Sequence, residues 1–135
     1  MRSRVGDLAR RRSSFAFETT LAGRALWLQE IINTGYLFHL LFLWLPSADF
    51  ALERVANRVA MGGHDVPEAT IRRRYVRGLQ NFFDVYQPMT ATWRMYDNSA
   101  GALPRLVAAG RGHTVDRVLN QRTWDRIQQG AHAEG

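Results

Sequence analysis

At 135 residues the chain has the length of one ordinary domain, and its 46% hydrophobic content suffices for a buried core. The net charge of +6 rests on 18 basic residues that are all arginine, which excludes Schiff-base chemistry and any phosphate site built on a lysine. With no cysteine, disulfides, thiolate catalysis and cysteine-ligated zinc or iron–sulfur centres are excluded as well.

An all-arginine basic set favours planar, bidentate contact with phosphate or carboxylate, although a GC-rich genome produces the same bias with no functional meaning. His39, His64, His113 and His132 are scattered without metal-ligand spacing. The longest apolar run, Tyr36 to Leu45, is about half of what a membrane-spanning helix requires. No long apolar stretch or small-residue cleavage site follows the basic segment Met1 to Arg12, so the expected compartment is the cytoplasm.

In chain order, Val5, Leu8 and Ala9 among arginines predict the last turns of an amphipathic helix, a basic lead-in over 1–14. Ser13-Ser14 breaks it, and the apolar Phe15-Ala16-Phe17 predicts a short strand ending near Glu18. Ala25, Leu26, Leu28, Ile31 and Ile32 then recur at helical spacing, with Gly35 placed to end the helix.

Tyr36 to Leu45, apolar on both alternating faces, predicts a parallel strand covered by helices on both sides and stopped by Pro46. Ser47 is placed to cap a helix whose core face is Phe50, Leu52, Val55 and Val59, with Arg54 and Arg58 beside it and Gly62-Gly63 at its end. Asp65-Val66-Pro67-Glu68 carries the signature of a capped start with a capping box. The next helix carries Ile71, Tyr75, Leu79, Phe82, Phe83 and Tyr86 on one stripe, with Arg72, Arg73, Arg74 and Arg77 mostly off it, until Pro88.

Trp93 to Asn98 predicts a third strand, Leu106-Val107-Ala108 a fourth, and Val115 to Gln128 a ragged terminal helix, with a disordered tail from Gly130. The order predicts an α/β fold with a parallel sheet flanked by helices. The main domain is expected over 15–122, with the terminal helix and tail over 123–135.

Phe17-Glu18-Thr19-Thr20-Leu21-Ala22-Gly23-Arg24, the strand closing in Phe42-Leu43-Trp44-Leu45-Pro46, Arg58-Val59 followed by Gly62-Gly63-His64-Asp65-Val66-Pro67, Ile71-Arg72-Arg73-Arg74, and Tyr96-Asp97-Asn98-Ser99 occur in one order. Together they closely resemble the zeta-toxin family of kinases, over roughly Ser13 to Leu106. Members are P-loop kinases that use ATP and magnesium to phosphorylate a sugar hydroxyl of a UDP-N-acetyl sugar, and many are the toxin of a toxin–antitoxin pair. The resemblance implies a partial P-loop-kinase-like parallel sheet.

The resemblance also implies that Glu18 and Thr20 face the nucleotide-sugar, which agrees with ligands binding beyond the carboxyl ends of strands in open α/β sheets. Read without it, Glu18 caps the next helix and Thr20 fills a turn. The family's lid arginines neutralise charge on the transferred phosphoryl group. Arg58 and Arg73 are the nearest matches, with Arg72, Arg74 and Arg77 as substitutes, and His64 as a lid hydrogen bonder. An arginine run on one helix face is otherwise a solvated surface.

Family kinases begin with a strand and a GxxxxGK(S/T) Walker A loop whose amides cradle phosphates, whose lysine neutralises them and whose hydroxyl binds magnesium. This sequence contains no such string and no lysine. The family's catalytic aspartate belongs to a segment without counterpart here, and Asp7 lies too close to the strand that follows to replace it. Because positioning and charge neutralisation supply nearly all the acceleration in phosphoryl transfer, the chain alone is expected to be an inactive kinase.

In such kinases the loop strand lies between the strand ending in Glu18 and the next one. Its loss predicts a partner, either a second copy or an upstream N-terminal kinase half, or else marginal stability. Two further readings are a non-enzymatic remnant that binds a nucleotide-sugar or an antitoxin, and a basic nucleic-acid binder. The last is the weakest: despite a pI near 10.9 and clusters at Arg10 to Arg12 and Arg72 to Arg74, the aromatics lie on apolar stripes, not interleaved with the arginines.

Overall fold

The computed structural model describes residues 25–101 and 103–132. The expected lead-in helix, the strand ending near Glu18, and Glu18 and Thr20 themselves lie outside the described residues. The described residues form an α/β layer of four helices and a four-stranded sheet in the order β1-β2-β3-β4.

Helix α1, Ala25–Asn33, buries Leu28 and Ile31, three residues apart on one face. Thr34 closes it, its amide and hydroxyl both donating to the Ile31 carbonyl. Strand β1, His39–Trp44, runs parallel to β2, Thr92–Asp97, with Leu40 beside Trp93 and Phe42 beside Met95. The crossover between them is α2, Ala48–Ala60, and α3, Glu68–Asn81.

In α2 only Val55 of the expected core face is buried, while Phe50, Leu52 and Val59 are half-buried. Ser47 has the extended backbone of a cap but no capping hydrogen bond. Gly62, at φ 98°, turns the chain out of the helix in a conformation that side chains strain to adopt. At α3 the expected capping box does not form: Pro67 occupies the cap, Asp65 accepts from its neighbour Val66, and Glu68 meets Arg72.

The apolar stripe of α3 runs on through a π-helical turn, Phe82–Tyr86, and a 3-10 turn, Gln87–Met89. The wider turn slips the register by a residue, which lets Phe82, Tyr86 and Gln87 all reach the interior.

The expectation of a parallel sheet holds only for β1 and β2. Strand β3, Arg105–Arg111, is antiparallel to β2, and β4, Thr114–Val118, is antiparallel to β3. The start of the expected terminal helix, from Val115, is therefore strand. A two-residue turn at Gly112-His113 reverses the chain, too short for anything but a hairpin. The terminal helix α4, Gln121–His132, starts at Asn120, whose side chain accepts from the Thr123 amide, and it remains helical past Gly130.

One core joins these elements. Trp93, fully buried, stacks on Trp124 of α4 at 5.4 Å and meets Phe82 edge-on at 5.6 Å, and its indole donates to the Gly112 carbonyl at 3.0 Å. Gly110 lies under that ring, where a Cβ would strike Thr114 and stand 2.7 Å from Trp93. The opposite face of the sheet differs from expectation. Leu41 is 63% and Leu43 54% exposed, because the buried cluster gathers on the Leu40, Phe42 and Trp44 side alone. On the bare face, His39 Nδ1 lies 2.7 Å from the Thr92 hydroxyl.

Candidate functional site

The carboxyl ends of the parallel pair β1 and β2 are tied together by polar contacts. The Asn98 amide donates to the Trp44 carbonyl at 2.9 Å, extending the ladder one step beyond β2. Arg54 of α2 donates to the Asn98 carbonyl at 2.7 Å, and the Tyr75 hydroxyl of α3 donates to the Leu45 carbonyl at 2.6 Å. The guanidinium of Arg126 lies 5.5 Å from the ring centroid of Trp44.

A cavity of about 870 Å³ opens here and runs along the whole of β1. Leu28 and Ile31 of α1, Ile71 and Leu79 of α3 and the strand itself give it apolar walls. Among the described residues its charged lining residues are Arg54, Arg58 and Arg74. Among the described residues Arg58 and Arg74 form no ion pair and no carboxylate lines the cavity, so three guanidinium groups border it without a described counter-charge. Such a site attracts an anion, most strongly one whose paired oxygens match the guanidinium fork.

Of the arginines singled out in the sequence, the structure brings Arg58 and Arg74 together in this cavity and leaves Arg73 and Arg77 outside it, exposed on α3. Arg72 is engaged elsewhere. It donates to Asp49 at 2.8 Å and Glu68 at 3.3 Å, bracing α3 against the start of α2, and these hydrogen bonds, Asp49 first, raise its pKa. His64 is exposed between the two helices and does not line the cavity.

Sequence reasoning placed Arg54 only beside a core face and passed over Arg126. The signal for Arg54 is its position one turn before Arg58 on the helix that follows a parallel strand. Arg126 meets Trp44 only through tertiary packing.

Burial raises the Tyr75 phenol pKa, with Arg126 opposing the shift, so this group remains a hydrogen-bond donor to Leu45 at neutral pH. The charged groups described around the cavity are guanidiniums, which contact phosphate oxygens and do not ligate magnesium. Among the described residues no carboxylate lines the cavity and no group of three His, Asp or Glu is assembled to hold a metal, and the sequence has no GxxxxGK(S/T) loop.

No helix among the described residues is long and apolar enough to cross a membrane. Comparison with known proteins finds no matching family model, no matching characterised relative and no matching solved structure.

Proposed function

We propose that this chain is the carboxyl-terminal part of a zeta-toxin-like kinase, which holds a nucleotide-sugar of the UDP-N-acetylglucosamine type and by itself does not turn over ATP. The observation that carries the reading is the cavity along β1, lined among the described residues by Arg54, Arg58 and Arg74 and by no acidic residue. Its volume of about 870 Å³ lies in the range of small-molecule sites, roughly 300–1,000 Å³. The ends of parallel strands are also where α/β sheets collect ligands.

In this reading the arginines take the diphosphate and the apolar walls take the less polar parts of the ligand. Phosphoryl transfer needs more, because without the Walker A loop and a base nothing positions the γ-phosphate or accepts the hydroxyl proton. The binding half and the catalytic half of the reading are tested separately. Binding of UDP-N-acetylglucosamine to the purified chain should weaken about tenfold or more in Arg58→Ala, the loss of one charge-assisted contact. Unchanged affinity in that variant overturns the site. Magnesium-dependent ATP turnover by the chain alone overturns the claim of inactivity.

A further inference from the structure

Residues opposite one another across a sheet share a face, so the register shows which side chains accompany Leu41 and Leu43 on the side turned away from the buried cluster. One row runs Leu41, Arg94, Ala109, Arg117 across all four strands, and the next runs Leu43, Tyr96, Leu106 across three. The bulge opposite Met95 and Tyr96 puts both Val107 and Ala108 into the core and returns Leu106 to this face. Leu41 and Leu43 are more than half exposed, and Tyr96, Leu106 and Ala109 are half-buried. Arg94 and Arg117 are exposed and form no ion pair among the described residues.

Parallel strands are built to be covered on both faces, and an exposed apolar patch rimmed by polar groups marks an interaction site. In an α/β layer the element that covers a sheet is a helix. Charge selects which helix. Neither row carries an acidic residue, and Asp116 of β4 is held by Arg111. Leu41 and Leu43 also border the cavity whose described charges are Arg54, Arg58 and Arg74. A second copy would set Arg94 and Arg117 against themselves, because a two-fold interface presents the same patch twice. Residues 1–24 of the chain bring six further arginines against Asp7 and Glu18. Neither complements the face.

We propose that this face of the sheet docks an acidic amphipathic helix of another protein. Its apolar stripe covers Leu41, Leu43, Tyr96 and Leu106, and its flanking carboxylates meet Arg94 and Arg117. A helix so placed borders the cavity, but its docking does not depend on what the cavity holds.

The full chain, labelled on its leucine methyl groups, tests this with three synthetic peptides. One is a helix with a leucine stripe flanked by glutamates, the second has the same composition scrambled out of helical period, and the third has lysines for the glutamates. The first alone should bind and shift the Leu41, Leu43 and Leu106 signals. Its affinity should fall about tenfold or more in Leu43→Ser and in the double variant Arg94→Glu, Arg117→Glu, and stay unchanged in Arg73→Glu. Equal binding of the scrambled or the lysine peptide overturns the proposal, as does binding that leaves those methyl signals unmoved or that Arg73→Glu weakens as much. Anionic phospholipid vesicles that shift the same signals when the first peptide does not overturn it in favour of a lipid surface.

A soluble gadolinium chelate reads the free chain, and it should broaden the Leu41 and Leu43 methyl signals at every protein concentration. Protection that does not vary with concentration overturns the proposal in favour of cover by the chain itself. Protection that grows with concentration overturns it in favour of a second copy.

Discussion

Tyr75 carries two consequences at the level of a single residue. Its hydroxyl fixes the carbonyl of Leu45 just beyond β1, so Tyr75→Phe should cost about 1 kcal/mol in chemical denaturation, the usual net worth of one such bond. Burial raises its folded-state pKa, so the unfolded chain loses the phenolic proton first as pH rises. The stability this residue contributes is complete below its unfolded pKa, about 10, and is lost as pH climbs through the raised folded value. A denaturation series in alkaline buffer should show that fall in the parent and a shallower one in Tyr75→Phe. Gly110 is the other sensitive position, since any Cβ there meets Trp93 and the Thr114 backbone. Gly110→Ala should therefore cost roughly 1–3 kcal/mol, as overpacking does, and a midpoint shift on urea titration measures it.

Among elements, α4 has an unexpectedly central place. Trp124, Ile127 and Ala131 are all buried against the sheet, so Ile127→Ala should destabilise by about 2–5 kcal/mol. A truncation after Asn120 should bind hydrophobic dyes, with near-ultraviolet circular dichroism lost. Helices α1, α2 and α3 and strands β1 and β2 were legible in the sequence because their apolar residues recur at one clear period and end at Gly, Pro or a turn.

Strand β4 was not legible, because its burial is so slight that only Val118 is partly covered and no alternation shows. The hairpin could have been found from Gly112-His113 between two short runs, a glycine-led two-residue turn. The bare face of β1 was misjudged for a different reason. An apolar run reports that a strand is able to be buried, whereas Leu41 and Leu43 are exposed because the buried cluster, to which α1, α3 and α4 contribute, gathers on the other side.

On the scale of the molecule, the site was only partly readable. The sequence could mark Arg58 and Arg74 as arginines on two successive helices, but only the crossover of α2 and α3 brings them to one cavity. Nothing local distinguishes Arg72, held by Asp49 and Glu68, from its neighbour Arg73, which lies outside the cavity. The structure thus separates a cluster of like residues into a brace between helices, a cavity lining and a solvated face. Replacing Arg74 by alanine should weaken nucleotide-sugar binding about tenfold or more, whereas Arg73→Ala should leave it unchanged, a contrast that equilibrium titration of both variants measures.

The central claim is a retained nucleotide-sugar site without an ATP site, and calorimetric titration at physiological salt tests it most directly. UDP-N-acetylglucosamine should release or absorb heat with one-site stoichiometry, while ATP with magnesium should give none beyond dilution. Tight magnesium-ATP binding, or silence with the nucleotide-sugar, would contradict the account.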